Sequence, residues 1–428
     1  HIKNHKKALI IKSYIMKKIT LIFAGIVSVL SLNAQLTKTV SVGAGYVNEV
    51  YYSLENEEVK TIDRASWDIA FQVTPGMSST IRTNGGNGIE LYGYSKGDTS
   101  HWASVDTVGI TGWKKYYNSD TSWSKGAFSE TGDGYMDLGW GKYSMITHYV
   151  TADSLFVLKL SDGSFKKLWI DKLASGVYYF KYADLDGSNE VLDTLEKADY
   201  PNRNFGYYSI KNGLEVNREP NNTSWDLVFT KYAKEVAPGY FMGVTGVLSN
   251  DGVSVNEVSS VAITDADTLS TSFSNSIAEI GYNWKTLNYS NYQYEAKDSL
   301  TYFVKSKTDD VWKVVFTGFG GSSSGDFEFT KEKLVALSLE EGQSLSQLGV
   351  YPNPTSDYVN IVFNQKESSN LQLNLYSLSG KLVYTKSLIE AKSGINQQNL
   401  SLSHLPKGMY VVSINSLKDQ VQQTIIVK

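Results

Sequence analysis

Gly321-Ser322-Ser323-Ser324-Gly325 has the G-x-S-x-G spacing of a nucleophile elbow. Such an elbow needs a strand-turn-helix, followed in the chain by an acid and a histidine. The only later histidine is His404, inside a tail of different character, so the motif reads as a flexible turn. Asp184-Leu185-Asp186-Gly187-Ser188-Asn189-Glu190 offers carboxylates that could meet Ca²⁺, but it lacks EF-hand spacing and reads as an Asp-Gly turn. Carboxylates are plentiful, yet no pair is marked out as glycosidic acid and nucleophile. H-E-x-x-H, Walker and dinucleotide-binding fingerprints do not occur. The chain has no Cys, which excludes disulfides, thiolate zinc sites and cysteine nucleophiles together. These residues do not describe an enzyme.

Charge narrows the partners. Net charge is −4 over 428 residues, and residues 1–34 hold six Lys and no acid, so the remainder carries −10. An acidic body does not build the basic surface that nucleic acid needs. Met16-Lys17-Lys18, the twelve-residue run Ile19 to Leu30 and then Ser31-Leu32-Asn33-Ala34 have the form of a secretory signal peptide. Twelve residues are too few to span a bilayer as helix, which takes ~20. Residues 1–15 are expected to lie upstream of the true start, with the signal at 16–34. No later stretch reaches membrane-spanning length.

The elements that must position any site are strands. Tyr51-Tyr52-Ser53-Leu54 precedes Trp67-Asp68-Ile69-Ala70-Phe71, and Tyr207-Tyr208-Ser209-Ile210 precedes Trp225-Asp226-Leu227-Val228-Phe229. A second matched pair closes each unit. Asp153 to Lys159 leads to Trp169 and Gly176-Val177-Tyr178-Tyr179-Phe180; Asp298 to Lys305 leads to Trp312 and Gly325-Asp326-Phe327-Glu328-Phe329. This internal repetition predicts two copies of one domain, 36–192 and 196–335. The runs are short, rich in β-branched and aromatic residues, and bounded by turn residues. Trp312, Val314 and Phe316 should share one face. Leu160-Ser161-Asp162-Gly163-Ser164-Phe165 should turn a hairpin. Only 330–341 reads as a short helix or linker. In each Trp-Asp pair the Trp reads as core area, with the Asp facing the other side to accept turn N–H groups.

Beyond a linker at 336–348, Val350-Tyr351-Pro352-Asn353-Pro354-Thr355 opens a new unit. Its alternating strands predict a small antiparallel sandwich of about 80 residues. Tyr351, Pro352, Asn353 and Pro354, the Leu375–Lys381 turn, Gly408-Met409-Tyr410 and the terminal Lys428 resemble the type A C-terminal sorting domain of type IX secretion cargo, over 349–428. That resemblance implies type IX secretion machinery as partner, passage through periplasm and outer membrane, and an extracellular or surface-attached product.

The body from Val40 through Trp67-Asp68, the Arg82-Thr83-Asn84-Gly85-Gly86 loop and Leu155 to Gly163 resembles HmuY-like haem-binding proteins, in two tandem copies. The second copy lacks a comparable Asn-Gly-Gly loop. The resemblance implies an all-β fold and a tetrapyrrole cleft, with haem as cofactor held by two His. Protein haem iron is held by His, Met, Cys or Tyr. Copy one supplies only His101 and His148, with Met136 and Met145 as alternatives; copy two has no His. Where one family histidine is expected stands Gly139-Trp140-Gly141, making Trp140 a candidate wall. The reading is an exported surface protein capturing haem or another small ligand. Its alternative is an adhesin or glycan-binding protein using Trp102, Trp113, Trp123 and Trp140 against sugar rings.

Overall fold

The computed structural model describes residues 37–133, 136–268, 271–334, 345–416 and 419–428. The expected upstream segment 1–15, the signal peptide 16–34 and positions 336–344 of the linker lie outside them. The chain forms two compact units, one ending at Leu334 and the other running 335–428. Both are β structures, with antiparallel pairing throughout the sheets.

Period-two alternation builds the body as layers. Ile69 and Phe71 point one way from the strand Ile69–Gln72, and Ala70 points the other. Likewise Tyr208 and Tyr207 belong to different clusters, as do Tyr52 and Tyr51, and Phe229 and Val228. Such strands are buried on both faces. They belong to two inner four-stranded sheets, and each packs outward on a larger sheet. One outer sheet, built around Phe165–Ala174 and Val177–Asp184, shares a core with Ile69, Phe71 and Tyr208. The other, built around Leu300–Lys305, Val311–Phe319 and Asp326–Leu334, shares a core with Tyr52, Phe229 and Trp284. Trp312, Val314 and Phe316 do line one face of that core. The Asp162-Gly163 hairpin forms as expected, with Gly163 at φ 87°.

The structure departs from the expected succession of two copies. Asn48–Ser53, from the first repeat, pairs with Leu227–Ala237 of the second. Phe205–Ser209, from the second, pairs with Ile69–Gln72 of the first. Thr37–Ser41 pairs with Asp326–Leu334 at the far end of the body. The repeats are therefore entwined: each sandwich takes its Tyr-Tyr strand from one repeat and its Trp-Asp strand from the other. A smaller correction concerns 330–341: Thr330 to Leu334 continues the strand Asp326–Leu334. Its outward residues are charged, which imitates a helical surface pattern.

The tail is a sandwich of a three-stranded and a four-stranded sheet around Phe363, Leu373, Leu375, Val412 and Ile425. Its first strand, Leu345–Tyr351, starts inside the expected linker. Asn353 fastens the final strand: its amide donates to Thr424 O at 3.0 Å and its carbonyl accepts Ile426 N–H at 2.8 Å. Tyr410 is buried and donates to Pro406 O at 2.7 Å, and Lys428 N–H reaches Thr355 O at 2.7 Å.

Candidate ligand cavity between the inner sheets

The faces that the inner sheets turn toward each other are not closed by aliphatic packing. They enclose a cavity of about 80 Å³ whose walls include Tyr51, Trp67, Trp123, Tyr207, Trp225 and Tyr232. At roughly 10–15 Å³ per water, that space holds several waters or a ligand of similar bulk.

Two asparagines place two of the indoles. Asn84 donates through its side-chain amide to Arg64 O at 2.8 Å and Trp67 O at 2.9 Å. Asn250 donates in the same way to Asn222 O at 2.8 Å and Trp225 O at 2.7 Å. Their own N–H groups go to Asp68 O and Asp226 O. Asn250 is thus the counterpart of Asn84. Sequence comparison missed it because the step from Trp to Asn is 17 residues in one repeat and 25 in the other. Gly86 is fixed by close approach, since a Cβ there would stand 1.8 Å from Lys231 O.

Charged groups of the walls are held by an ion pair at Glu49 and by hydrogen bonds to neutral groups at Glu219 and Arg82. Arg218 is fully buried, bonds Glu49 at 2.9 Å, and lies over the rings of Trp67 and Tyr207 at 5.5 and 5.2 Å. Glu49 also accepts from Thr230 at 2.8 Å. Glu219 accepts Asn204 N–H at 2.9 Å, Phe205 N–H at 3.0 Å and the Tyr207 hydroxyl at 3.3 Å. Burial nevertheless outweighs those bonds and pushes its carboxyl up to about 7. Arg82 donates to the carbonyls of Ser119, Ser122 and Lys125 at 2.8–3.1 Å, tying down loop 119–125 with its guanidinium over the Trp123 ring. Against this framework stand buried donors with no partner among the described residues: Trp67 Nε1, Trp225 Nε1, the Tyr232 hydroxyl and Arg218 Nε. An indole N–H can only donate, so its missing partner is an acceptor.

The residues expected to hold haem are distributed differently. His148, Met136 and Met145 border a separate open groove, together with Met77, Tyr143 and Leu138. His101 is not among the residues of that groove. It sits in the exposed turn Thr99–Ser104, with Nδ1 3.2 Å from Asp98. The His101–His148 pair is therefore not assembled. Trp140 is a core residue, fully buried, with Nε1 donating to Ser79 O at 3.0 Å. Its flanking glycines explain this: Cβ atoms at Gly139 and Gly141 would meet Phe128 O and Thr151 O at 2.5 and 2.6 Å. The strand can approach so closely only without them, which turns the indole inward. Nor are the other tryptophans free platforms. Trp102 and Trp123 are half-buried, donating to Glu190 at 2.8 Å and Ser249 O at 2.9 Å, and Trp113 packs half-buried against Tyr94. At Asp184–Glu190 the carboxylates accept from Ser188 and Asn189 within the turn and from Lys166 on the adjacent strand.

Comparison with known proteins bears first on the tail. Residues 349–428 match the secretion system C-terminal sorting domain family. The protein is accordingly a type IX secretion cargo, delivered to the cell surface or extracellular space. Two curated relatives match short stretches. An ulvan lyase of Nonlabens ulvanivorans is 29% identical over 87 residues, covering 20% of this chain and 15% of the enzyme. Beta-agarase D of Zobellia galactanivorans is 28% identical over 118 residues, covering 27% of this chain and 22% of the agarase. The chain thus spans less than a quarter of either relative. A solved structure of PorZ, a surface component of the type IX system of Porphyromonas gingivalis, covers 65% of this chain and 43% of its own at 10% identity. Its TM-score of 0.15 is too low to indicate a shared fold.

Proposed function

We propose that the body of this exported protein is a non-catalytic binding protein for a small, hydroxyl-rich ligand of the carbohydrate class, held between the inner sheets. The observation that carries the reading is the set of unpartnered buried donors, Trp67 Nε1, Trp225 Nε1 and the Tyr232 hydroxyl, on the walls of one aromatic cavity. Leaving a buried donor unmade costs ~1–3 kcal/mol, and ligand hydroxyl oxygens would relieve it while aromatic faces cover C–H surface. The two relatives, by name an ulvan lyase and an agarase, favour polysaccharide fragments as the ligand class.

Catalysis is not part of this reading, because Glu49 and Glu219 are both engaged by framework groups. Haem is not the ligand we propose either. The resemblance's paired histidines lie apart, His101 in an exposed turn and His148 on the open groove.

Titration calorimetry of the full chain against mono- and oligosaccharides tests the proposal. Binding that weakens at least tenfold in Trp67→Phe and Trp225→Phe supports it. Failure of every sugar to bind, or turnover that disappears in Glu219→Gln, overturns it.

A further inference from the structure

The open groove beside the first sandwich gathers an unusual set of side chains. Of six methionines in the chain, Met77, Met136 and Met145 border it, and so does His148, one of five histidines. Methionine is ordinarily among the more buried residue types. Here Met77 is 85% and Met145 67% exposed, so neither contributes much to packing.

The groove is organised around His148. Its backbone adopts φ 57°, a left-handed conformation that costs a non-glycine residue free energy and clusters at functional positions. Its N–H donates to Ser144 O at 2.8 Å, closing the turn that carries Met145. Its Nδ1 is 2.8 Å from the Tyr143 hydroxyl, and Tyr143 N–H donates to Met136 O at 2.8 Å. One hairpin thus ties the histidine to two of the methionines. In the tautomer whose Nδ1–H donates to the Tyr143 oxygen, Nε2 carries the lone pair, as in a ligating imidazole. Among the described residues the lining includes no carboxylate, and its lysine, Lys197, is engaged by Ser78.

We propose that this groove binds a soft monovalent metal ion, copper(I) in the first place, through His148 Nε2 and the thioethers of Met136, Met145 and Met77. Thioether and imidazole donors suit Cu(I), whereas Mg²⁺ and Ca²⁺ favour carboxylate oxygens, which the described lining residues do not supply. The ion enters as Cu(I) and is bound without electron transfer. This site is independent of the inter-sheet cavity.

The test is anaerobic competition between the full chain and bicinchoninate for Cu(I), read from the loss of the chelator's colour. One equivalent of copper should be withdrawn. Affinity should fall at least tenfold in His148→Ala and in Met136→Leu/Met145→Leu, and less in Met77→Leu. Leucine keeps the volume of methionine, and circular dichroism checks that the fold is retained. Absence of copper uptake by the wild type, or unchanged affinity in those variants, overturns the proposal. So does Zn²⁺ binding as tight as that of copper, which would remove the soft-donor basis. A haemin Soret shift without copper uptake would assign the groove to a tetrapyrrole instead.

Discussion

The carboxylate of Asp226 accepts the backbone N–H of Leu54 at 2.7 Å, across 172 residues of chain. In the other sandwich Asp68 accepts Lys211 N–H at 3.0 Å and the Ser209 hydroxyl at 3.2 Å. Each aspartate caps the turn that follows the other repeat's Tyr-Tyr strand. The backbones match as well, with Asp226 N–H on Tyr52 O and Asp68 N–H on Tyr208 O. The expected role, acceptance of turn N–H groups, is fulfilled across repeats.

This exchange makes the halves inseparable. Residues 36–192 expressed alone lack Phe205 and Tyr208 from their core and lose Leu227 as the strand partner of Tyr52. They should show no cooperative urea transition, whereas 36–335 should unfold in a cooperative one. Asp226→Ala in the full chain should cost about 1–3 kcal/mol, the price of leaving a partly buried N–H unmade. A cooperative transition from 36–192 alone would contradict the entwined pairing.

Asn84→Ala and Asn250→Ala should behave alike despite their unlike sequence surroundings. Each removes a buried amide that satisfies two carbonyls. A loss of about 2–3 kcal/mol in chemical denaturation is expected for each. Sugar affinity should fall with it, because Trp67 and Trp225 lose their anchors.

Glu219 links stability to pH. Its folded pKa of about 7 lies above the ordinary 4.5, so the native state holds the proton more tightly than the unfolded chain. The contribution is complete below pH 4.5 and is lost as pH rises through 7. At 1.36 kcal/mol per unit this amounts to about 3 kcal/mol at most. Glu219→Gln should remove that part of the slope between pH 4.5 and 7 in urea titrations.

Lys285 acts at higher pH. It is packed over Trp284 and Phe319, and its Nζ donates to Thr245 O at 2.7 Å. Burial pulls its pKa from 10.5 to about 7. The native state binds the proton more weakly, so the penalty is complete below pH 7 and is relieved as pH rises toward 10.5. Lys285→Met should be more stable than wild type at pH 6, by about 2–3 kcal/mol, and should lose that advantage by pH 10.

Deleting 349–428 should leave the body in the periplasm, because the sorting domain directs outer-membrane passage. Fractionation with immunodetection reads this, and normal surface delivery of the truncated chain would count against the assignment.

The sequence alone determined what local rules govern. Period-two alternation fixed the all-β class and the 351–354 motif with its strands fixed the sorting tail, while the recurring Tyr-Tyr and Trp-Asp strands are the basis for expecting a duplication. It also separated His148, Met136 and Met145 as donor side chains, though not the groove they border together. Tertiary structure decided which strand of which repeat would pair. Tyr51-Tyr52-Ser53-Leu54 and Tyr207-Tyr208-Ser209-Ile210 offer nearly the same edge and faces to either Trp-Asp strand. Pairing within a repeat and pairing between repeats therefore satisfy the same local preferences, and only the packing of both faces at once distinguishes them. The cavity is a consequence of that choice. Its walls come from inward faces of strands far apart in the chain, brought together where two sandwiches meet, and no spacing along the chain encodes such a meeting.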